Sequence, residues 1–485
     1  MSFGEYGVVA LGLYLVVLAS VAEVARRSRR DATPSDHFLA GRDLGVFVLF
    51  LTLYATAYSG NSLLGYPGRA YQAGFSFVMS TGFMMSIIVL FHTIAPRLRP
   101  LAETHGFVTP GDWVRHRFAG EAAARALAVA VGILMVLALA NFLMAQLQAM
   151  GTMTGRVTAG IVPHEAGVIG LAFVILIYES LGGMRAVAWT DSGQGLLMLF
   201  GLIALLAWLM SDGGGLGNVT ERVAAARPDA VAVPDAVTCA NWFSTIALLG
   251  LGSILYPQAI QRIFAARSQK VLQQSFAIMT FMPLTTTLVV TLIGIAAIAR
   301  IDPGAGVGSD EVMPVLLGEW AADGGVRMFA ALLVFIGALA AIMSTADSCL
   351  LSLGSLAVGD ILGRPRGDES TTRLGKWIAA GVLFAMVPIA IQRDLTLWRL
   401  IELKMELLVQ CVPAFLVAMH WRGLRAAPTL VGLLVGTTLA AVATLSGVKT
   451  VYGIHTGMIA LLVNLLIAVC ASAWLARRAS ASLSR

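Results

Sequence analysis

Ser344, Thr345, Asp347 and Ser348 stand within five residues, deep in the apolar run 326–360, and Ser352 and Ser355 follow. Lipid offers such groups no water, so each polar atom there needs a partner. A hard cation such as sodium would supply one. It takes several oxygen ligands at once, and hydroxyls provide them without the desolvation cost of full charges. The competing use is local, with each hydroxyl bonding back to a carbonyl one turn earlier in its own helix. Asp347, together with Asp191 near one end of the run 186–211, adds carboxylates in apolar surroundings. Intramembrane carboxylates are expensive and mark ion or proton pathways. Two of them close together hold a cation or share a proton.

Two further runs carry Gly, Ser and Pro where a lipid-facing helix would be aliphatic. One reads Leu-Thr-Leu-Tyr-Ala-Thr-Ala-Tyr-Ser-Gly-Asn-Ser at 51–62, followed by Gly65, Pro67 and Gly68. The other reads Leu-Leu-Gly-Leu-Gly-Ser-Ile-Leu-Tyr-Pro-Gln at 248–258. Broken backbone at membrane depth is tolerated where it lines a cavity, and a matched pair of interrupted helices points to a transporter site. Small-residue packing faces and proline kinks are the simpler reading. A third run opens Leu-Trp-Arg-Leu-Ile-Glu-Leu-Lys-Met-Glu at 397–406. On a helix, Arg399, Glu402 and Glu406 share one face, while Lys404 points roughly 160–200° away with no sequence-local partner. Lys404 is therefore a candidate anchor for an anionic substrate; the alternative is that it snorkels to the surface or pairs with a distant carboxylate. Tyr54, Thr56, Ser59, Asn61, Asn141, Gln146, Tyr256 and Gln410 are the other candidate cavity residues, since pockets combine apolar walls with a few convergent polar groups.

These residues must be positioned by membrane-spanning helices. The 485 residues are 58% hydrophobic and only 12% charged, against about 25% charged in soluble domains. The net charge of +6 does not signal nucleic-acid binding, because the basic residues sit in short loops between apolar runs. Thirteen runs approach the ~20 residues that a bilayer crossing needs: 5–25, 44–66, 74–96, 121–152, 164–182, 186–211, 240–262, 271–300, 326–360, 374–392, 397–420, 427–447 and 456–476. Arg26, Arg27, Arg29 and Arg30 follow the first run instead of preceding it, as for a retained helix and not a cleaved signal. Basic residues are concentrated in alternate gaps, Arg262 counted among them. That bias predicts an outer N-terminus and a cytoplasmic C-terminus. Four cysteines and seven histidines show no ligand spacing, and no HExxH or GxSxG motif suggests an enzyme.

Four stretches, in order, resemble the sodium:solute symporter family: His-Phe-Leu-Ala-Gly-Arg-Asp-Leu-Gly at 37–45, Gly-Gly-Met-Arg-Ala-Val-Ala-Trp-Thr-Asp-Ser-Gly-Gln at 182–194, Pro-Gln-Ala-Ile-Gln-Arg at 257–262 and Ala-Ala-Ile-Met-Ser-Thr-Ala-Asp-Ser at 340–348. The resemblance covers about residues 37–425. It implies an all-α polytopic membrane protein of leucine-transporter type, a five-plus-five inverted repeat with one extra helix before it and two after. The expected division is 1–43 for the first helix and its basic loop, 44–212 for the first repeat, 213–239 for an outer loop, 240–420 for the second repeat and 421–485 for the last two helices and tail. By the same resemblance, sodium binds carbonyls of Ala55, Tyr58 and Ala341 and hydroxyls of Ser344 and Thr345. Asp191, Ser344, Asp347 and Ser348 match a second cation site in some members, with a proton equally open. The segment around Lys404 faces the substrate cavity in the family. Ala57 stands where proline carriers have an aspartate, which argues against proline-carrier-like behaviour.

The expected function is sodium-coupled symport of a small organic solute, a monocarboxylate or other organic anion, by alternating access. The partners are substrate, sodium and a lipid bilayer, in a plasma membrane of bacterial inner-membrane type. Two alternatives stay open: a proton-coupled carrier using Asp191 or Asp347, and a membrane sensor that keeps the fold without transport.

Overall fold

The computed structural model describes residues 1–27, 42–364 and 369–483; within helices, the side chains at 21–22, 24–27, 178–192, 194, 303 and 479–483 stand outside the description. The motif residues 37–41 and the side chain of Asp191 therefore lie outside the described residues. The described chain is almost wholly helical, the outcome expected where lipid cannot satisfy backbone groups. Among the described residues, ten helices are long and apolar enough to cross a membrane. Three of the thirteen expected spans fall short of that measure. The run 44–66 is divided, 164–182 has described side chains only over His164–Ile177, and 397–420 carries four charges in its first turns.

Helix α1 is Phe3–Arg27, and α2 (Val46–Ala57) and α3 (Tyr66–Ala73) form the first divided span, joined by a π-helical turn at Asn61–Gly65. α2 ends because Tyr58 leaves helical geometry, with φ −106° and ψ 89°. Pro67 does not stop the span. It sits in the first turn of α3, where its missing N–H costs nothing. The stop is Gly74, whose φ of +63° suits glycine and leaves no room for a Cβ, which would lie 2.2 Å from the Ala230 carbonyl oxygen. The expected third span at 74–96 consequently begins as a 3-10 segment, Gly74–Met79, before α4 (Ser80–His105). Then follow α5 (Pro110–Arg117), α6 (Ala124–Val157) and α7 (His164–Asp212).

The sequence predicts two helices where α7 is recorded as 49 continuous residues. A straight helix of that length would be about 73 Å long, more than twice the hydrocarbon thickness. Its two ends are tied to one loop. His164 reaches the Ala390 carbonyl at 3.3 Å beside Arg393, which pairs with Glu311; Asp212 pairs with Arg300, which also pairs with Glu319. Both ends therefore lie at the same side, as two crossings require.

The second half holds α8 (Leu216–Ala226), α9 (Ala236–Ser253), α10 (Pro257–Ala265), α11 (Gln269–Met279), α12 (Leu288–Ala297), α13 (Val312–Ala321), α14 (Gly325–Leu356), α15 (Glu369–Gln392) and α16 (Leu397–Leu408). α9 and α10 are the second divided span, with Pro257 in the first turn of α10. α14 is the central element, buried along most of its length between α6 and α7. Glycines allow the close crossing: a Cβ on Gly201 would meet Val334, and one on Gly337 would meet Leu197 and Met198. A small antiparallel hairpin, β1 (Thr450–Val451) and β2 (Ile454–His455), separates α17 (Ala426–Leu445) from α18 (Thr456–Leu483). These last two helices pack on each other and hold the far part of α16's span.

Candidate functional site

The first division brings a broken backbone against the hydroxyl cluster. The Thr345 hydroxyl, fully buried on α14, lies 3.4 Å from the Ala55 carbonyl oxygen at the end of α2. Tyr58, the next expected carbonyl, is the residue at which the helix ends. Ala341 and Ser344 are also buried, each about 1% exposed, Ser344 next to Thr345 in the chain and Ala341 one turn before it. Oxygen atoms from two helices thus converge where no lipid or bulk water reaches. Gly60 closes the break. Its N–H donates to the Gln146 side chain at 3.0 Å, and a Cβ here would stand 2.8 Å from both Ala149 and Ile342. Gln146, expected in the cavity, instead satisfies the backbone that the break leaves open.

Next to it stands Arg262, fully buried on α10, donating to Thr52 at 2.9 Å, to the Gln258 carbonyl at 3.2 Å and to the Ser348 hydroxyl at 2.7 Å. Ser348 in turn donates to the Ser344 carbonyl at 2.8 Å. Arg262 is therefore no loop charge, as the charge count took it, but a buried guanidinium bonded to Ser348, one of the residues of the second suggested cation position. The signal was present: Arg262 ends the Pro-Gln-Ala-Ile-Gln-Arg motif just one helical turn past a break.

A cavity opens beside the breaks, walled by α2–α3, α4, α9 and α16. It collects five of the nine expected substrate residues: Thr56, Ser59, Asn61, Tyr256 and Lys404. Asn61 is 2% exposed, and neither its amide oxygen nor its nitrogen has a hydrogen-bond partner. Lys404, also 2% exposed, holds its ammonium 3.2 Å from the Phe142 ring centroid and 5.3 Å from that of Tyr256. The two rings stack at 5.4 Å. Among the described residues no carboxylate pairs with Lys404, so π faces supply its electrostatic compensation. Arg399, by contrast, is bound to Glu402 at 3.0 Å and to Glu406 at 2.9 Å, the compensated face that the helical spacing predicts.

Four expected cavity residues go elsewhere. Tyr54 bonds Thr286 at 2.9 Å, on the opposite side of α2. Gln146 caps the break. Asn141 does not line the cavity. Gln410 is turned toward the last helices: it donates to the Gly457 carbonyl at 3.0 Å, and its own carbonyl accepts from Asn464 at 2.8 Å. Helix phase alone did not reveal which face each neighbour would occupy.

One end of the cavity is closed by aromatic rings that sequence reasoning passed over. Trp398 packs on Phe77, Tyr66 and Phe83 at 5.0, 6.1 and 6.1 Å, and its indole N–H donates to Glu402 at 2.8 Å. Above them, the loop between α12 and α13 lies on α3. The Asp310 carboxylate accepts from the Leu397 N–H at 2.9 Å and so caps α16. Burial pushes the Asp310 carboxyl from 3.8 up to about 6. A carboxyl raised on folding favours the folded state while protonated. That contribution is complete below pH 3.8 and is lost as pH rises to about 6. Thermal stability should therefore fall across this interval, and Asp310→Asn should flatten the fall while adding on the order of 2–3 kcal/mol at pH 7. A pH profile identical in wild type and variant would show that Asp310 does not carry this dependence.

The family model for sodium:solute symporters matches residues 37–436. The chain belongs to the sodium:solute symporter family. Similar curated members of this symporter family are the sodium/pantothenate symporter of Escherichia coli strain K12, 27% identical over 476 residues and covering 95% of this chain and 94% of that protein, and a sodium/proline symporter of Staphylococcus aureus, 24% identical over 92% of this chain and 88% of that one. A solved structure of a sodium-coupled sialic acid symporter, substrate-bound and outward-open, superposes with a TM-score of 0.77 at 18% identity, covering 96% of this chain and 97% of that chain. A nucleobase-cation-symport-1 family transporter in a closed conformation gives 0.56 at 16% identity, covering 92% and 96%. The symporter is thus a multi-pass membrane protein of the leucine-transporter-type fold.

Proposed function

We propose that this symporter couples the entry of sodium to that of a small organic anion by alternating access. The observation that carries the reading is the approach of the Thr345 hydroxyl to the Ala55 carbonyl across two helices. Sodium sits between α2 and α14, held by carbonyl oxygens of Ala55, Tyr58 and Ala341 and by hydroxyls of Ser344 and Thr345. It bridges the halves that must part for inward release, so it has different affinity for the two states, which is what coupling requires. The substrate takes the cavity at Asn61, Tyr256 and Lys404, where the unpaired ammonium selects an anion. A second cation at Asp191, Ser344, Asp347 and Ser348 would meet the Arg262 guanidinium at the Ser348 hydroxyl, so one sodium per substrate is the favoured ratio. The membrane is the bacterial inner membrane, with the N-terminus outside and the C-terminus inside, as the distribution of basic loops supports.

The test is thermal stability of the purified protein in sodium, against potassium or choline at equal ionic strength and pH. A ligand at a hundredfold excess over Kd stabilises the native state by about 2.7 kcal/mol. A rise specific to sodium is expected. Equal stability in all three salts, together with a dependence on pH that Asp347→Asn removes, would transfer coupling to a proton.

A further inference from the structure

We propose that the substrate is a monocarboxylate with an apolar tail, whose carboxylate is held at Lys404 and whose tail lies along the wall made by α4 and α11. This rests on the symport reading and names the substrate of the same cavity.

The cavity is chemically divided by element. Its polar side chains come from the α2–α3 break, from α9 with its following turn and from α16, and include Lys404 and Asn61. α4 and α11 contribute only apolar groups, among them Phe83, Ile88, Phe91, Phe276 and Met279. From Phe83 to Phe91 this wall runs about 12 Å along the helix. It has no hydrogen-bond donor or acceptor for a hydroxyl, and burying an unpaired hydroxyl is unfavourable. A sugar or hydroxy acid extended along it would lose its water for nothing.

Charge narrows the class further. Lys404 is the one charged residue among the described residues lining the cavity. One ammonium matches one carboxylate. A dicarboxylate would set its second charge against the apolar wall. An amino acid would bring its ammonium beside Lys404, and among the described residues no Asp or Glu lines the cavity to receive it. Lys404 is stacked on Phe142 and Tyr256 in this structure, a place that suits an ammonium without a partner and that an arriving carboxylate would draw it from.

The experiment is a thermal-stability titration of the full protein in sodium with acetate, butyrate, hexanoate, phenylacetate, succinate, phenylalanine and phenethylamine. Apparent affinity should rise about fourfold per added methylene from acetate to hexanoate. Phenylacetate should join the tight end of the series, and succinate, phenylalanine and phenethylamine should be at least tenfold weaker than hexanoate. Lys404→Gln should weaken hexanoate at least tenfold while keeping the sodium effect. Met279→Gln, a second variant outside the charged end, should weaken hexanoate roughly tenfold and leave acetate unchanged. A flat chain-length series, equal binding of succinate or phenylalanine, or hexanoate binding indifferent to both variants would overturn the proposal. A sodium effect without any acid series would overturn it and leave sodium coupling standing. An acid series without a sodium effect would do the reverse.

Discussion

Replacing Ser344 and Thr345 together by alanine is expected to abolish both the sodium-specific rise in stability and sodium-driven uptake, while the protein still folds. The two hydroxyls are two of five proposed ligands, and each hydrogen-bond-like contact to a charge contributes about 1.5–3 kcal/mol. Losing both should weaken sodium binding by a hundredfold or more, on the order of 3–6 kcal/mol. At a sodium concentration that was a hundredfold above Kd, the stabilisation then falls from about 2.7 to about 0.4 kcal/mol. Folding should survive because both side chains are small and sit on the interior of α14, where alanine is a better helix former. The measurement is a sodium titration of thermal stability beside counterflow uptake in proteoliposomes. Retention of a wild-type sodium effect in the double variant would place the ion elsewhere, and Arg262 and Asp347 would be the next region to search.

Gly68→Ala is expected to cut uptake roughly 5- to 150-fold with sodium binding preserved. A Cβ on Gly68 would stand 2.1 Å from the Ser309 carbonyl oxygen, so α3 and the loop carrying Asp310 can no longer meet as they do here. Overpacking of this kind costs about 1–3 kcal/mol. The penalty falls on the arrangement in which the loop is closed over Trp398, so the population shifts toward the open one by the corresponding factor. The substitution adds helix propensity in α3, by about 1 kcal/mol, so lost helix stability would not account for a transport defect. Ser309→Cys in the Gly68→Ala background should react faster with a membrane-impermeant maleimide than Ser309→Cys alone. Unchanged uptake with unchanged labelling would show that closure of this loop is not part of the cycle.

Both experiments probe features that differ in how visible they are in the chain itself. The apolar runs, the low charge and the breaks at 51–68 and 248–258 are local properties, and they determine membrane residence, helicity and the divided spans. Local chemistry also marks the hydroxyl cluster on α14 and the odd ammonium at Lys404, because a polar group in lipid stands out whatever surrounds it. The neighbours of those groups are long-range matters. Gln146 lies 86 residues from the Gly60 N–H it satisfies, and Tyr54 lies 232 residues from Thr286. Helix periodicity gives each residue a face, but only packing decides which helix that face meets. For the same reason Gln410 turned to the last two helices and not to the cavity, and Arg262, counted as a loop charge, was buried against Ser348. The sequence by itself determined what kind of molecule this is and which residues are unusual. The tertiary structure alone decided which of them share a cavity, because contact between helices depends on crossing geometry and small-residue packing that no single stretch of chain encodes.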